Sequence, residues 1–235
     1  MCGIIGVLSR PTTRAVPEAA EILAALDRAV DLAADPTAAA DAAADADTAL
    51  RGVPGVLALA DHHELVTAIT ARLDRLDAAI DEFDAELERG DPDADELERR
   101  GAASIALRDV LWAIRHDRLR TAREVGALAG RGAGPGAVAG YLAIQQSLSA
   151  LDRLEVRGRD SAGIHVLVHG HALDLIDPGV AAALAERAQD PTYTSGSVRV
   201  EQGVLSFVYK AAAEIGELGD NTRALRAAVA GDDLL

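Results

Sequence analysis

The only cysteine of the 235 residues is Cys2, which directly follows the initiator methionine. If Met1 is removed, Cys2 carries a thiol and a free α-amine only a few bonds apart. The α-amine has an ordinary pKa of about 7.7–8.0 and the thiol one of about 8.5, so the amine can accept the thiol proton near neutral pH. This pair predicts a nucleophilic cysteine with its own general base. The alternative is a small buried thiol that opens the first strand.

A second group of candidate residues lies between a predicted helix and a predicted strand. Leucines recur at helical intervals from Leu142 to Leu154, and the run from Ile164 to Val168 is typical of a strand. The connection between them reads Arg-Gly-Arg-Asp-Ser-Ala-Gly over residues 157–163. Its glycines permit a close approach of the backbone, and its polar residues are typical of turns. The candidates in this connection are Arg157, Gly158, Asp160, Ser161 and Gly163.

Together, the N-terminal Cys-Gly-Ile-Ile-Gly and the 157–163 motif resemble the glutaminase domain of the class II, N-terminal-nucleophile amidotransferases. The Leu-Glu pair before Arg157 is more similar to the glucosamine-6-phosphate synthases than to the amidophosphoribosyltransferases. The resemblance covers residues 1–11 and about 136–235. It implies an α+β fold, a partial Ntn-hydrolase (αββα) glutaminase domain that is incomplete at its C-terminal side.

The resemblance also implies a mechanism. The Cys2 sulfur attacks the side-chain amide of glutamine, a γ-glutamyl thioester forms as ammonia leaves, and water then releases glutamate. Arg157 and Gly158 would orient the N-terminus, while Asp160 and Ser161 hold the turn. In the synthases the ammonia passes to a sugar phosphate and converts fructose 6-phosphate to glucosamine 6-phosphate. The expected partners are thus glutamine and, through a downstream domain missing from this chain, a sugar phosphate; no cofactor is implied.

The sequence departs from this family in three places. In this family, the region that matches residues 211–235 is followed by a His-Thr-Arg-Trp segment, an Asn-Gly pair that forms the oxyanion hole and an Asp that receives the glutamine amine. None of these three features is present in this sequence. Loss of one oxyanion donor costs about 10²–10³ in rate, so we expect the chain alone to be inactive. The interpretation is an N-terminal part of a longer amidotransferase, or a truncated gene product.

Two other functions are kept as alternatives. One is a different class II amidotransferase, similar to amidophosphoribosyltransferase. The other is a catalytically dead interaction protein whose working surface is a helical hairpin over residues 58–120. An apolar seam exposed on that hairpin would favour the second alternative. The sequence is compatible with a homo-oligomer.

The middle of the chain has a different character and predicts an α-helical insertion over residues 12–135, between the first strand, expected just after Cys2, and the first helix of the glutaminase fold. Residues 15–51 are rich in Ala and Asp, and 38–49 are nearly low-complexity. Apolar residues from Leu73 to Leu87 are spaced by threes and fours, and a Gly-Asp-Pro-Asp turn at 90–93 then ends that helix. A second long helix follows to Leu119, so the two predict an antiparallel helical hairpin.

Composition and charge restrict the partners. The chain has 38 acidic and 23 basic residues with a net charge of −15, which disfavours nonspecific binding to nucleic acid or to an anionic membrane. No basic segment precedes the apolar run after Cys2, so no signal peptide is predicted, and that run is far below the roughly 20 residues of a membrane span. A cytoplasmic location is predicted.

Three histidines, His165, His169 and His171, have the same parity along a predicted strand-turn-strand stretch. One face of a hairpin could present them to a metal ion, but no acid or cysteine nearby completes a ligand set. We therefore expect solvent-facing hairpin histidines and no metal site.

Overall fold

The computed structural model describes residues 3–90, 92–157, 160–190, 192, 194–212 and 217–235. The chain divides into two compact units. The helical unit comprises residues 11–126 and 131–138, and the sheet unit comprises residues 1–10, 127–130 and 139–235.

The helical unit is built from consecutive helices with short connections. Their bounds are α1 Ala19–Asp31, α2 Pro36–Ala49, α3 Gly52–Leu59, α4 His63–Arg89 and α5 Ala94–Trp112, followed by a π-helical segment Ala113–Leu119 and by α6 Arg120–Ala129. Helix α2 packs against α1 and α5, and α4 packs against the same two helices.

The Ala-rich stretch forms helix α2 and has a packing role in the helical unit. Ala39, Ala43 and Ala46 are fully buried, and such small side chains let neighbouring helices approach closely. The helix begins where the Asp35 side chain accepts hydrogen bonds from the Thr37 and Ala38 backbone N–H groups. The alanines are therefore the packing surface of the helical unit.

Helices α4 and α5 confirm the two long helices predicted from the apolar spacing. Leu73, Leu76 and Ile80 of α4 are at most 1% exposed. Helix α4 ends at Arg89, just before Gly90, and α5 begins after Asp93, whose side chain accepts from the Glu96 backbone N–H at 2.8 Å.

Ion pairs show that α4 and the α5–π segment run antiparallel. Arg108 pairs with Asp81 and Asp84, and Arg115, one heptad later, pairs with Asp74 and Asp77. Residue numbers thus fall along α4 as they rise along the partner. We call these two arginines and four aspartates the arginine ladder.

The sheet unit contains one antiparallel sheet of three strands, β1 Ala162–Val168, β2 Ser197–Glu201 and β3 Val204–Ala211, in the order β1-β3-β2. The β2–β3 hairpin turns at Gln202 and Gly203, which both have positive φ (52° and 79°), as a two-residue hairpin turn requires. Helices α7 Pro135–Leu154, α8 Pro178–Glu186 and α9 Asp220–Ala230 and a 3₁₀ turn Glu155–Arg157 complete the described elements.

The core of the sheet unit forms between the sheet and helices α7 and α9. The sheet contributes its alternate residues, because successive strand side chains point to opposite faces. The last turn of α6 also belongs to the sheet unit and contributes Leu128 to this core. The other buried members are Ile144, Leu148, Ile164, Val198, Leu205, Phe207, Tyr209, Leu225 and Val229.

The predicted αββα fold is wrong for the described residues. They are 63% helical and form only this one small sheet, whereas an αββα sandwich needs two sheets packed face to face. The apolar run after Cys2, expected as a strand, finds no strand partner there: Ile4 is 99% and Leu8 82% exposed. Unpaired backbone gains no ladder hydrogen bonds, so the run stays outside the sheet.

The predicted hairpin around His169 and His171 is also wrong. Strand β1 ends at Val168 and pairs with β3, while the chain after it continues through a turn into α8. Across the described ranges, no helix is both long enough and apolar enough to cross a membrane.

Candidate functional site

The connection between α7 and β1 has the predicted helix-to-strand form. Helix α7 ends at Leu154, a single 3₁₀ turn spans Glu155–Arg157, and β1 starts at Ala162. Asp160 and Ser161 are exposed within this connection. Cys2 and Gly158 lie outside the described residues, as does the side chain of Arg157.

The N-terminal segment approaches this connection at Gly3. A Cβ atom placed on Gly3 would lie 2.7 Å from Leu154 Cδ1 and 3.1 Å from Cδ2. Gly3 is bonded to Cys2, and Leu154 is the last residue of α7 before the 3₁₀ turn. Gly3 of the N-terminal motif is therefore in contact with Leu154, which lies three residues before the 157–163 motif, at a distance that the absence of a side chain on Gly3 permits.

Gly163 is confined by the sheet. It pairs with Lys210 in β3, and a Cβ atom on Gly163 would lie 3.1 Å from the Tyr209 carbonyl oxygen. Because that oxygen belongs to the backbone of a paired strand, it can give way less easily than a side chain can. Gly163 therefore lets β1 and β3 approach closely where the connection enters the sheet.

Glu155, which was not among the predicted site residues, is a buried acid at the head of the connection. It is 4% exposed, and its carboxylate accepts from the backbone N–H of Gly219 at 2.5 Å and of Thr222 at 3.2 Å. These groups lie in the first turn of α9, where N–H groups have no partner within the helix. The sequence signal was present, because the Leu-Glu pair carried part of the family resemblance, but it assigned Glu155 no role.

A second buried polar cluster lies elsewhere in the sheet unit. Arg187 donates to both Asp232 oxygens, Nη1 at 2.7 Å and Nη2 at 2.5 Å, and to the Gly196 carbonyl at 2.8 Å. The Tyr209 hydroxyl donates to Asp232 at 2.5 Å. Burial and this hydrogen bond to Asp232 raise the pKa of Tyr209 well above its ordinary value, so Tyr209 keeps its proton. The guanidinium also lies 5.7 Å from the centre of the Phe207 ring.

This cluster borders an open pocket of about 430 Å³, lined in part by Arg187, Tyr209 and Asp232. Burial raises the pKa of Asp232, but its hydrogen bonds from Arg187 and Tyr209 outweigh burial and hold the pKa below its ordinary value. The charges are thus matched inside the protein, which is typical of a structural pair. The described lining residues do not include the candidates of the 157–163 connection.

His165 and His171 make separate hydrogen bonds. His165 Nε2 lies 2.6 Å from Ser206 Oγ across the β1–β3 pair, and His171 Nε2 lies 3.1 Å from the Gly203 carbonyl oxygen. In the part of the chain that the structure describes, no three His, Cys, Asp or Glu side chains form a group that could hold a metal ion.

Comparisons of this chain with protein families, with curated proteins and with solved structures find no match. The resemblance to the class II amidotransferases therefore depends on the two sequence motifs, and it stays a prediction.

Proposed function

We propose that this chain carries the nucleophilic side of a glutaminase site of the class II amidotransferase type, with Cys2 as nucleophile and glutamine as substrate. The observation that carries the proposal is the contact between Gly3 and Leu154. It supports the proposal because one residue is bonded to Cys2 and the other leads into the 157–163 motif. The proposal concerns the chemistry of these motifs and not an αββα fold, which the described residues lack.

The proposed reaction has two steps. The Cys2 sulfur bonds to the amide carbon of glutamine, and its proton passes to the Cys2 α-amine. The carbon–nitrogen bond then breaks, the nitrogen takes that proton and leaves as ammonia, and a γ-glutamyl thioester remains. Water attacks the thioester, so glutamate leaves and the thiol is restored.

The proposed roles of the other residues follow the resemblance. Arg157 and Gly158 orient the N-terminus, and Asp160, Ser161 and Gly163 form the wall of the site. The proposed ammonia acceptor is a sugar phosphate, and the proposed location of the enzyme is the cytoplasm. Because the sequence contains neither the Asn-Gly pair nor the His-Thr-Arg-Trp segment of the family, we expect residues 1–235 to react at Cys2 without rapid turnover.

The interaction-protein alternative would be favoured by an apolar seam exposed on the helical hairpin. The seam residues Leu73, Leu76 and Ile80 are instead buried within the helical unit. Helix α5 does expose Leu97, Ile105 and Trp112. Self-association of the chain stays a prediction.

Covalent labelling tests the proposal directly, because Cys2 is the only thiol. A chloroketone analogue of glutamine should modify Cys2 once, as located by peptide mass mapping, and excess glutamine should slow the reaction. Intact-mass analysis of the same sample should show that Met1 has been removed, since a retained Met1 would convert the base into an amide.

Two controls make the labelling decisive. Cys2→Ala should take up no label, and a short peptide with the sequence of residues 2–10 should react without protection by glutamine. Equal rates for the protein and the peptide, with no protection in either, would contradict the proposal.

A further inference from the structure

Helix α9 is capped from outside its own sequence neighbourhood. Its N-cap residue is Gly219, which has φ 91° and no side chain that could cap the helix. Glu155 supplies the missing acceptor, because its two carboxylate oxygens accept from the Gly219 and Thr222 N–H groups. A negative charge at a helix N-terminus is further favoured by the helix dipole.

The contact extends along α7. Asp152, one turn before Glu155, accepts a hydrogen bond from the Thr222 hydroxyl. Two turns further back, Gln145 accepts from the guanidinium of Arg226. Residues on one side of α7 thus bind successive turns of α9, and Glu155 is the last and most deeply buried acid of the series, at 4% exposed.

Glu155 is also the first residue of the 3₁₀ turn that leads into the 157–163 connection. The far end of that connection is fixed by the sheet, where Ala162 pairs with Ala211 and Gly163 with Lys210. Leu154, the residue directly before Glu155, contacts Gly3. Among these contacts, the cap by Glu155 is the one in which a buried charge ties the near end of the connection to a second element, helix α9.

We propose that Glu155 is a positioning residue of the glutaminase site: by capping α9 it fixes where the 157–163 connection begins and where Leu154 meets Gly3. The inference depends on the proposed function. The role assigned to Glu155 is structural, because each of its oxygens accepts a hydrogen bond from the first turn of α9. A small displacement of reacting groups costs up to about 10²-fold in rate, so the loss of this tie should be visible in the reactivity of Cys2.

The test compares two reagents on Cys2. Iodoacetamide measures intrinsic thiol reactivity, and the chloroketone analogue of glutamine measures thiol reactivity plus substrate positioning. The ratio of their second-order rate constants therefore isolates positioning. Glu155→Gln keeps the size of the side chain and removes its charge, and we expect it to lower the ratio by roughly tenfold to hundredfold. Glu201→Gln, an exposed acid in β2, is the matched control and should leave the ratio unchanged.

Each outcome has a distinct meaning. A ratio that falls in Glu155→Gln and is partly restored in Glu155→Asp, which keeps the carboxylate, supports the inference. A folded Glu155→Gln variant with the wild-type ratio overturns it while the proposed function stands. If Glu155→Gln does not fold, Glu155→Asp takes its place: its side chain is one methylene shorter, so the carboxylate should draw back from the Gly219 and Thr222 N–H groups and the ratio should fall below the wild-type value. A wild-type ratio in folded Glu155→Asp then overturns the inference. A wild-type ratio equal to that of the peptide 2–10 contradicts the proposed function itself.

Discussion

Both units pair arginine with aspartate, but they do so at different depths. In the arginine ladder of the helical unit the four carboxylates are between 32% and 75% exposed. In the sheet unit the side chain of Asp232 is 5% exposed, and it holds Arg187 and Tyr209 together. Each exposed pair contributes about 0–1 kcal/mol to the free energy of unfolding, whereas removal of one partner of a buried pair leaves the other charge buried without a counter-charge.

Asp47 is the exception within the helical unit. It lies in the Ala-rich helix α2, its side chain is 5% exposed, and it accepts hydrogen bonds from Arg51 and Arg118. Arg118 belongs to the π-helical segment, so Asp47 joins α2 to that segment. The pairs therefore differ in how deeply the aspartate is buried and not in the types of residue that form them. The effect of burial on stability can be tested within one unit as well as between the two.

The largest effect is expected from Asp232→Ala. The substitution leaves the Arg187 guanidinium without its bidentate partner and the Tyr209 hydroxyl without its acceptor. We expect the free energy of unfolding of the sheet unit to fall by about 3 kcal/mol. All three tyrosines of the chain fall within residues 139–235. Urea unfolding followed by tyrosine fluorescence in a Trp112→Phe background therefore reports on this unit.

Asp233→Ala is the matched control, because Asp233 is the next residue and is exposed. Its effect should stay within about 0.5 kcal/mol. Equal losses in the two variants would mean that depth does not decide the outcome.

The second effect is expected from Asp47→Asn, and it should depend on pH. Burial raises the pKa of Asp47, but hydrogen bonds from Arg118 and Arg51 outweigh burial, so the pKa lies below the ordinary 3.8. Charged Asp47 thus stabilises the fold above its ordinary pKa, and this stability is lost as the pH falls through the lower pKa of the folded state. We expect Asp47→Asn to cost about 2 kcal/mol at pH ~6 and progressively less below pH ~4.

Trp112 is the probe for this variant, since the only tryptophan lies in α5 and contacts His116, with ring centres 4.8 Å apart and ring planes tilted by 31°. Asp45→Asn is the control, because Asp45 lies on the same helix with its side chain 69% exposed. A loss in Asp47→Asn that stays constant down to pH ~2 would show that the carboxylate charge is not its cause.

Features that depend on local patterns could be predicted from the sequence, whereas features that depend on burial by distant parts of the chain could not. Helices α4 and α5 were predictable because their apolar residues repeat within a few turns and their turn carries Gly and Pro. The helix-to-strand form of the 157–163 connection was predictable for the same local reason. Helix α2 was underestimated, because its alanines carry no amphipathic signal and gain meaning only from the helices that pack on them.

Long-range contacts account for the errors and omissions. The strand expected after Cys2 required a partner edge, and no local pattern reveals whether one exists. Glu155 lies 64 residues from Gly219 and 67 from Thr222, so its spacing to α9 is invisible along the chain. Asp232 and Arg187 are 45 residues apart and look like ordinary surface charges in the sequence. Buried polar groups are the least predictable because their partners are chosen by the fold.

The smallest effect is expected from the arginine ladder. Arg115→Met keeps much of the apolar stem and removes the ion pairs with Asp74 and Asp77, so the free energy of unfolding should fall by at most about 1 kcal/mol at low salt. At ~1 M salt the screening length is about 3 Å, and most of that difference should disappear. Trp112 fluorescence during urea unfolding measures it, and Arg99→Met, an exposed arginine of α5, is the control. A loss above about 2 kcal/mol that persists at high salt would place Arg115 with the buried pairs, and depth would then no longer separate the ladder from Asp47 and Asp232.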